Sequence, residues 1–226
     1  MSTGAIVLTV IGCIIILIAV RAVWELKHPK VTVLKVVSPK VRNNTRIVYL
    51  SDLHGRSYGE NNAQLIELIK QQNPDYIFLG GDLAVASPGK TDETAINFIK
   101  EVCLISPVFY APGNHEKHLA INPGLFGGRY NAIKEAVIQS GGTYLENASV
   151  SLKDNMVLYG LDIDFRYYVK FRKAPFLTEP ELNNCLGDPD KEKFNILLAH
   201  SPKYFRTYAA WGADLSFSGH YHGGLM

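Results

Sequence analysis

Short apolar runs alternate with longer stretches of helical periodicity along this chain, and nearly every run ends in a polar tip. Arg46 to Leu50 (RIVYL) reads as a compact strand that runs into Ser51-Asp52-Leu53-His54-Gly55. Asn62 to Gln71 sets Ala63, Leu65, Ile66, Leu68 and Ile69 at helical spacing. After Pro74 a second buried strand, Tyr76 to Leu79, stops at Gly80-Gly81-Asp82. Glu93 to Cys103 predicts a helix and Val108 to Ala111 a strand, followed at once by Gly113-Asn114-His115-Glu116. A helix over Arg129 to Gln139 leads to strands at Ala148 to Lys153 and Val157 to Leu161. Phe194 to Ala199 then ends on His200, and Leu215 to Phe217 ends on Gly219-His220-Tyr221-His222. Upstream, Val31 to Val37 alternates in a β-rich way and predicts a first strand.

Strand-helix alternation of this kind predicts an α/β fold around largely parallel or mixed sheets. Ligands of such sheets sit outside the carboxyl ends of the strands. Five strands here each deliver Asp, Asn or His just past that end, as one site assembled from distant sequence requires.

The first segment follows another rule. Ala5 to Val20 (AIVLTVIGCIIILIAV) carries no charge, with Thr9 its one polar residue. With its flanks it approaches the ~20 residues that a bilayer core demands, Arg21 snorkelling at the edge. Nothing basic precedes the run, while Arg21, Lys27, Lys30, Lys35 and Lys40 follow it. That asymmetry favours a single-pass anchor over a cleaved signal peptide and puts the following domain in the cytoplasm. The expected organisation is an anchor over 1–24, a juxtamembrane stretch with the first strand over 25–45, and one α/β domain over 46–226.

Bulk properties narrow the picture a little. The 226 residues suffice for one α/β domain with a sizeable core. Basic residues number 23 and acidic 21, interspersed, so no nucleic-acid footprint is present. Cys13, Cys103 and Cys185 are odd in number and far apart, which suggests neither a disulfide framework nor a Cys-zinc site. No protein partner is evident.

The strand-end residues Asp52, His54, Asp82, Asn114, His200, His220 and His222 form a mixed oxygen and nitrogen donor set. Such a set suits two divalent ions, Mn, Fe or Zn, rather than a thiolate site or an all-oxygen calcium cage. Seven ligands are too many for one ion. Two ions about 3.5–4 Å apart would use them if a carboxylate bridges, and such a pair activates water and clamps a phosphoryl oxygen. Gly55, Gly80, Gly81, Gly113, Gly219 and Gly223 are expected to permit the tight turns beside the ligands. His28 and His118 read as surface residues. Asp162 and Asp164 read as turn or capping carboxylates, with support of a metal ligand as the alternative. Glu116 is open between orienting a neighbour and capping a helix.

In this order, Asp52-x-His54, Gly80-Gly81-Asp82, Gly113-Asn114-His115-Glu116, His200 and Gly219-His220-x-His222 resemble the calcineurin-like metallophosphoesterase superfamily, over Arg46 to Gly224. The N-terminal apolar segment and the Gly-His-x-His-Gly-Gly ending are most similar to its small bacterial membrane-associated branch, the YaeI and YkuE type of phosphodiesterase. The resemblance implies a four-layer α/β/β/α sandwich with mixed sheets, in which 46–226 is the metallophosphoesterase domain. It implies that Asp52, His54 and His222 hold one ion, that Asn114, His200 and His220 hold the other, and that Asp82 bridges them. His115 would be the catalytic non-ligand, stabilising the transition state or protonating the leaving oxygen, while a metal-bridging hydroxide attacks phosphorus in line. Family members continue past the last His motif with strands that complete the second sheet. This sequence stops at Leu225-Met226, so those C-terminal strands are expected to be missing.

The implied function is a binuclear phosphodiesterase or pyrophosphatase acting on a membrane-proximal or lipid-linked phosphate. A phosphomonoesterase and a non-catalytic metal-binding membrane scaffold are the alternatives. Phe165 to Lys173 mixes aromatic and basic residues and is expected over the rim of the site, against an anionic substrate or lipid headgroups; a solvated loop is the alternative.

Overall fold

The computed structural model describes residues 2–25, 27–169 and 174–222. Helix α1 (Thr3–Glu25) precedes a first half built as β1 (Ile47–Leu50), α2 (Ala63–Gln71), β2 (Tyr76–Leu79), α3 (Glu93–Cys103), β3 (Val108–Tyr110), α4 (Asn114–Ile121), α5 (Pro123–Phe126), α6 (Arg129–Gln139) and β4 (Thr143–Tyr144). The second half runs β5 (Ala148–Leu152), β6 (Met156–Leu161), α7 (Glu179–Leu186), β7 (Phe194–Ala199), α8 (Phe205–Trp211) and β8 (Leu215–Phe217). Short 3-10 turns lie at Phe165–Tyr168 and Pro202–Tyr204.

Two sheets result. The first, β1-β2-β3-β4, is parallel throughout; the second, β5-β6-β7-β8, pairs β5 with β6 antiparallel and the rest in parallel. The side-chain period of two along each strand sorts the core into three seams. Ile77 and Leu79 of β2 face Leu65 and Ile66 of α2, Phe98 and Ile99 of α3 and Ile133 of α6. Tyr76 and Phe78, one residue out of phase, pack between the sheets with Met156, Leu158, Ile196 and Leu198. Val157, Tyr159, Leu197 and Ala199 turn to the far side, under Leu182, Tyr208 and Trp211. The sandwich therefore has the expected α/β/β/α layers, with one sheet wholly parallel and the other mixed.

The hydrophobic pattern places most elements to within two residues. Residues 31–37 are an exception, because they form no strand and lie outside both sheets, with Val33, Leu34 and Val37 more than 80% exposed. Alternation alone does not make a strand; the backbone needs a partner for its N–H and C=O groups, and none pairs here among the described residues. The chain joins the domain just afterwards. Lys40 pairs with Asp214 at 2.9 Å, and the Asn155 amide donates to the Lys40 carbonyl. Asp214 and Asn155 immediately precede β8 and β6, so this junction lies at the amino ends of the second sheet, away from the tips that carry the polar motifs.

α1 is 23 residues long, with mean hydropathy 2.9 and none of its apolar window buried. At 1.5 Å per residue it spans about 35 Å, enough for a hydrocarbon core of about 30 Å. It suits a membrane span, and an N-terminal signal sequence would have the same length and composition.

Candidate metal centre

Five strand tips converge. β1 delivers Asp52 and His54, β2 Asp82, β7 His200, and β8 His220 and His222, while Asn114 opens α4 just after β3. Backbone bonds continue beyond the sheet to lock the first two tips together: Asp52 N–H donates to the Gly81 carbonyl (3.1 Å), His54 N–H to Asp82 (3.0 Å) and Gly55 N–H to Leu83 (2.8 Å). The second sheet is tied in by the His220 N–H, which donates to the Asp52 carboxylate at 3.0 Å, and by His200 Nδ1–H, which donates to the Gly80 carbonyl at 2.7 Å. That last bond leaves His200 Nε2 unprotonated toward the centre in the neutral tautomer.

Asp52, His54, Asp82, His220 and His222 all adopt left-handed backbone conformations, with φ between 49° and 68°. Such residues cost of order 1–3 kcal/mol each and cluster at functional sites. Two glycines matter for a different reason. A Cβ on Gly113 would collide with the Asp82 carboxylate, and one on Gly219 with the Asp52 carboxylate and the Ser51 hydroxyl. Neither has a left-handed φ, so close approach, and not the tight turn expected from sequence, explains glycine at these two positions.

The donor atoms face one another. His54 Nε2 and His222 Nε2 lie 3.0 Å apart, with Asp52 Oδ1 3.8 and 3.6 Å from them. His200 Nε2 is 3.0 Å from Asp82 Oδ2 and 3.7 Å from Asp52 Oδ1. Asn114 turns one end of its amide toward His220 Nδ1 (2.6 Å), Asp82 Oδ2 (3.2 Å) and His200 Nε2 (3.3 Å). With the amide nitrogen at that end all three contacts are hydrogen bonds, and with the oxygen there the same atoms form a donor set that a cation would satisfy. Ligand atoms about 2.0–2.2 Å from an ion lie about 3–4 Å from one another, so these separations fit metal coordination. Asp52, His54 and His222 form one such cluster and Asp82, His200 and His220 a second, while His54 and Asp82 also form a third with His115.

Electrostatics follow from the crowding. Burial would depress His200, but its hydrogen bond to Asp82 and the charges of Asp82 and Asp52 carry its pKa up to about 9. Burial would raise Asp82, and the same His200 bond holds it below the usual carboxylate range. For His54 burial dominates and pushes the pKa down, which leaves a free lone pair for a ligand.

A profile of the calcineurin-like phosphoesterase family matches residues 45–224. This chain belongs to that family. Among similar proteins, an uncharacterized metallophosphoesterase of Campylobacter jejuni is 30% identical over 203 residues, covering 89% of this chain and 50% of its own length. Uncharacterized metallophosphoesterases from two Helicobacter pylori strains are each 26% identical over 214 residues, covering 91% of this chain and 52% of theirs. The chain thus spans about half the length of the curated relatives it matches.

Other polar residues of this family member now have definite places. His115, half-buried beside His54 with ring centroids 4.8 Å apart, accepts the Ala86 N–H on Nδ1 at 2.8 Å. Glu116, fully buried, accepts four bonds: from Asp82 N–H (2.7 Å), Gly113 N–H (2.9 Å), Tyr110 hydroxyl (2.8 Å) and Ala84 N–H (3.2 Å). It therefore both reaches back over the start of α4 and holds the Asp82 loop. Burial and the nearby Asp82 charge raise its pKa. Asp162 pairs with Lys117, and Asp164 caps the Phe165–Tyr168 turn through the Arg166 N–H, so neither reaches a ligand through a direct bond. His118 is not the surface residue expected from sequence. Half-buried, it stacks on Phe165 at 5.2 Å and meets Phe126 edge-on. His28 is exposed and stacks on Trp24.

Tyr168 belongs to the Phe165–Lys173 stretch expected over the rim. Its buried ring lies edge-on to His220 at 5.5 Å and 6.2 Å from His200, which brings the Phe165–Tyr168 turn to the flank of the centre. Lys170, Phe171, Arg172 and Lys173 of the expected rim lie outside the described residues, as do Gly223 and Gly224.

Proposed function

We propose that this chain is a metal-dependent phosphoester hydrolase with a two-ion centre, held by Asp52, His54 and His222 on one side and by Asn114, His200 and His220 on the other, with Asp82 shared. The observation that carries this reading is the convergence of seven oxygen and nitrogen donors from five strand tips, six of them in clusters that could each hold an ion. Two divalent ions of the Mn, Fe or Zn kind, when bound there, supply Lewis-acid polarisation of a phosphate ester and activation of water.

The chain's own residues do the rest. Asp82 lies between both clusters, its loop fixed by Glu116. His115 stands beside His54 without being needed as a ligand. With Nδ1 occupied by the Ala86 N–H, the ring carries its one proton on Nε2, so of its two family roles the geometry favours hydrogen bonding to a developing phosphoryl charge over proton donation.

The test uses a chromogenic bis-aryl phosphate with Mn and a metal assay. Asp82→Asn should abolish turnover and bring metal content to half or less. His115→Ala should keep its metal while turnover falls roughly 10²–10⁴-fold. Equal metal loss in both variants would remove the distinction between ligand and non-ligand. Metal binding without turnover in the unaltered protein would favour the scaffold alternative.

The substrate is proposed to be a phosphodiester or pyrophosphate at a membrane surface. Supporting this are α1 and an exposed aromatic and basic rim near the Phe165–Tyr168 turn. Phe176, Phe205 and Tyr221 are 75%, 59% and 51% exposed, and Lys203 and Arg206 have no acidic partner among the described residues. The Tyr204 hydroxyl ties this rim to Tyr167 and Pro175. Basic residues near an anionic surface contribute about 1 kcal/mol each. Replacing Lys203 and Arg206 with Gln should lower activity on phosphate esters in anionic vesicles severalfold and spare the soluble aryl phosphate; equal effects on both substrates would count against the membrane surface.

A further inference from the structure

Ten residues after Asp82 and fifteen after Asn114, the two members of one ion pair each break a local rule. Asp92 occupies the N-cap of α3, where an aspartate ordinarily accepts a backbone N–H, yet its side chain makes no capping bond. Arg129 is the first residue of α6, where the helix dipole disfavours a cation, and no acidic residue shares that turn. Both side chains are instead spent on each other. Arg129 Nε and Nη2 donate to the two Asp92 carboxylate oxygens at 2.7 Å each, the Arg side chain 17% and the Asp 3% exposed. Residues that violate local preference in this way tend to serve something beyond their own element.

What they serve is visible in the remaining Arg129 bonds. Nη2 donates to the Val85 carbonyl at 2.8 Å and Nη1 to the Ser87 carbonyl at 3.0 Å, so one guanidinium brackets Ala86 from both sides. Ala86 supplies the N–H that His115 Nδ1 accepts at 2.8 Å. The loop after Asp82 has no regular structure of its own over these residues, and its geometry there is imposed from α6.

The geometry points to Arg129, held by Asp92, as a positioning residue that fixes the Ala86 N–H and through it the tautomer and orientation of His115. This rests on the proposed role of His115. A planar fork is required, because two carbonyls and two carboxylate oxygens must be met in one plane, and a lysine ammonium meets them as a point charge. Neither Arg129 nor Asp92 bonds to any of the seven proposed ligands, so metal binding should be indifferent to both.

The experiment is a double-mutant cycle on the full chain, read by turnover, metal content, melting temperature and the ¹⁵N shifts of the His115 ring. Arg129→Lys, which keeps the cation beside Asp92, and Arg129→Gln should each lower kcat about 10–100-fold, as expected for losing a group that orients a functional side chain, with metal content unchanged. In a His115→Ala background neither should lower it further. The ring shifts should report a fixed Nε2–H tautomer in the unaltered protein and a mixed population in Arg129→Lys. The same loss factor in both backgrounds, or an unchanged tautomer in an Arg129→Lys protein that melts normally, would overturn the proposal. If His115→Ala alone turns over normally, the role of His115 fails, and the ring shifts still decide whether Arg129 sets its tautomer.

Discussion

His200 and Asp82 share opposite pKa displacements, and the direction of each sets a window. The His200 pKa is raised from 6.5 to about 9, so in the metal-free protein its contribution to stability is fully present below pH 6.5 and is lost as pH rises through about 9. Asp82 is displaced downward, so its contribution is present above 3.8 and lost as pH falls through its lowered value. The metal-free protein should therefore melt at progressively lower temperature from pH 6.5 to 9. The metal-loaded protein, in which an ion replaces the proton on His200, should not show that decline. Thermal scans across this range with and without chelator check it, and parallel curves would contradict the pairing.

At this scale the convergence of the proposed ligands was legible because each lies within a few residues of a strand end, in a short motif that sequence displays. Glu116 was seen but not understood, since its four donors come from β2, β3 and their loops, which sequence does not bring together. Arg129 and Asp92 were missed for the same reason: their partners lie tens of residues away, and nothing in the local pattern marks them.

Elements were read well wherever burial imposed a period. α3 and α6 fall where their apolar spacing predicts, and β2, β7 and β8 likewise. α4, α7 and α8 were not read as helices. The first begins inside a ligand motif, and the others bury few residues against the second sheet. The interlock of loops is testable here. Gly219→Ala should displace Asp52, because the added methyl meets its carboxylate and the Ser51 hydroxyl, and should lower metal content and activity together while the sheets remain folded. Unaltered metal content would show that the loop carrying His220 yields easily. α1 carries its own expectation: with basic residues following and none preceding, a reporter fused after Met226 should be active only if it works in the cytoplasm. An extracytoplasmic signal, or a mature chain lacking the first residues, would replace the anchor with a cleaved leader.

For the molecule as a whole, two parallel strand sets place their tips against one another, and the chain enters at the opposite pole, where Lys40 meets Asp214. The segment from Glu25 to Lys40 can reach about 50 Å when extended, long enough, were α1 to span a bilayer, for the polar strand tips to face it. Five of the seven proposed ligands sit on left-handed backbone. Glycine relieves that conformation by about 1–2 kcal/mol at each position. Directed evolution for heat resistance alone would therefore favour glycine at 54 and 222, whereas at 52 and 82 glycine would also lose the carboxylates that hold the His220 and His115 N–H groups. Its most robust winners would be inert, and any laboratory screen on this scaffold must select for turnover and durability together.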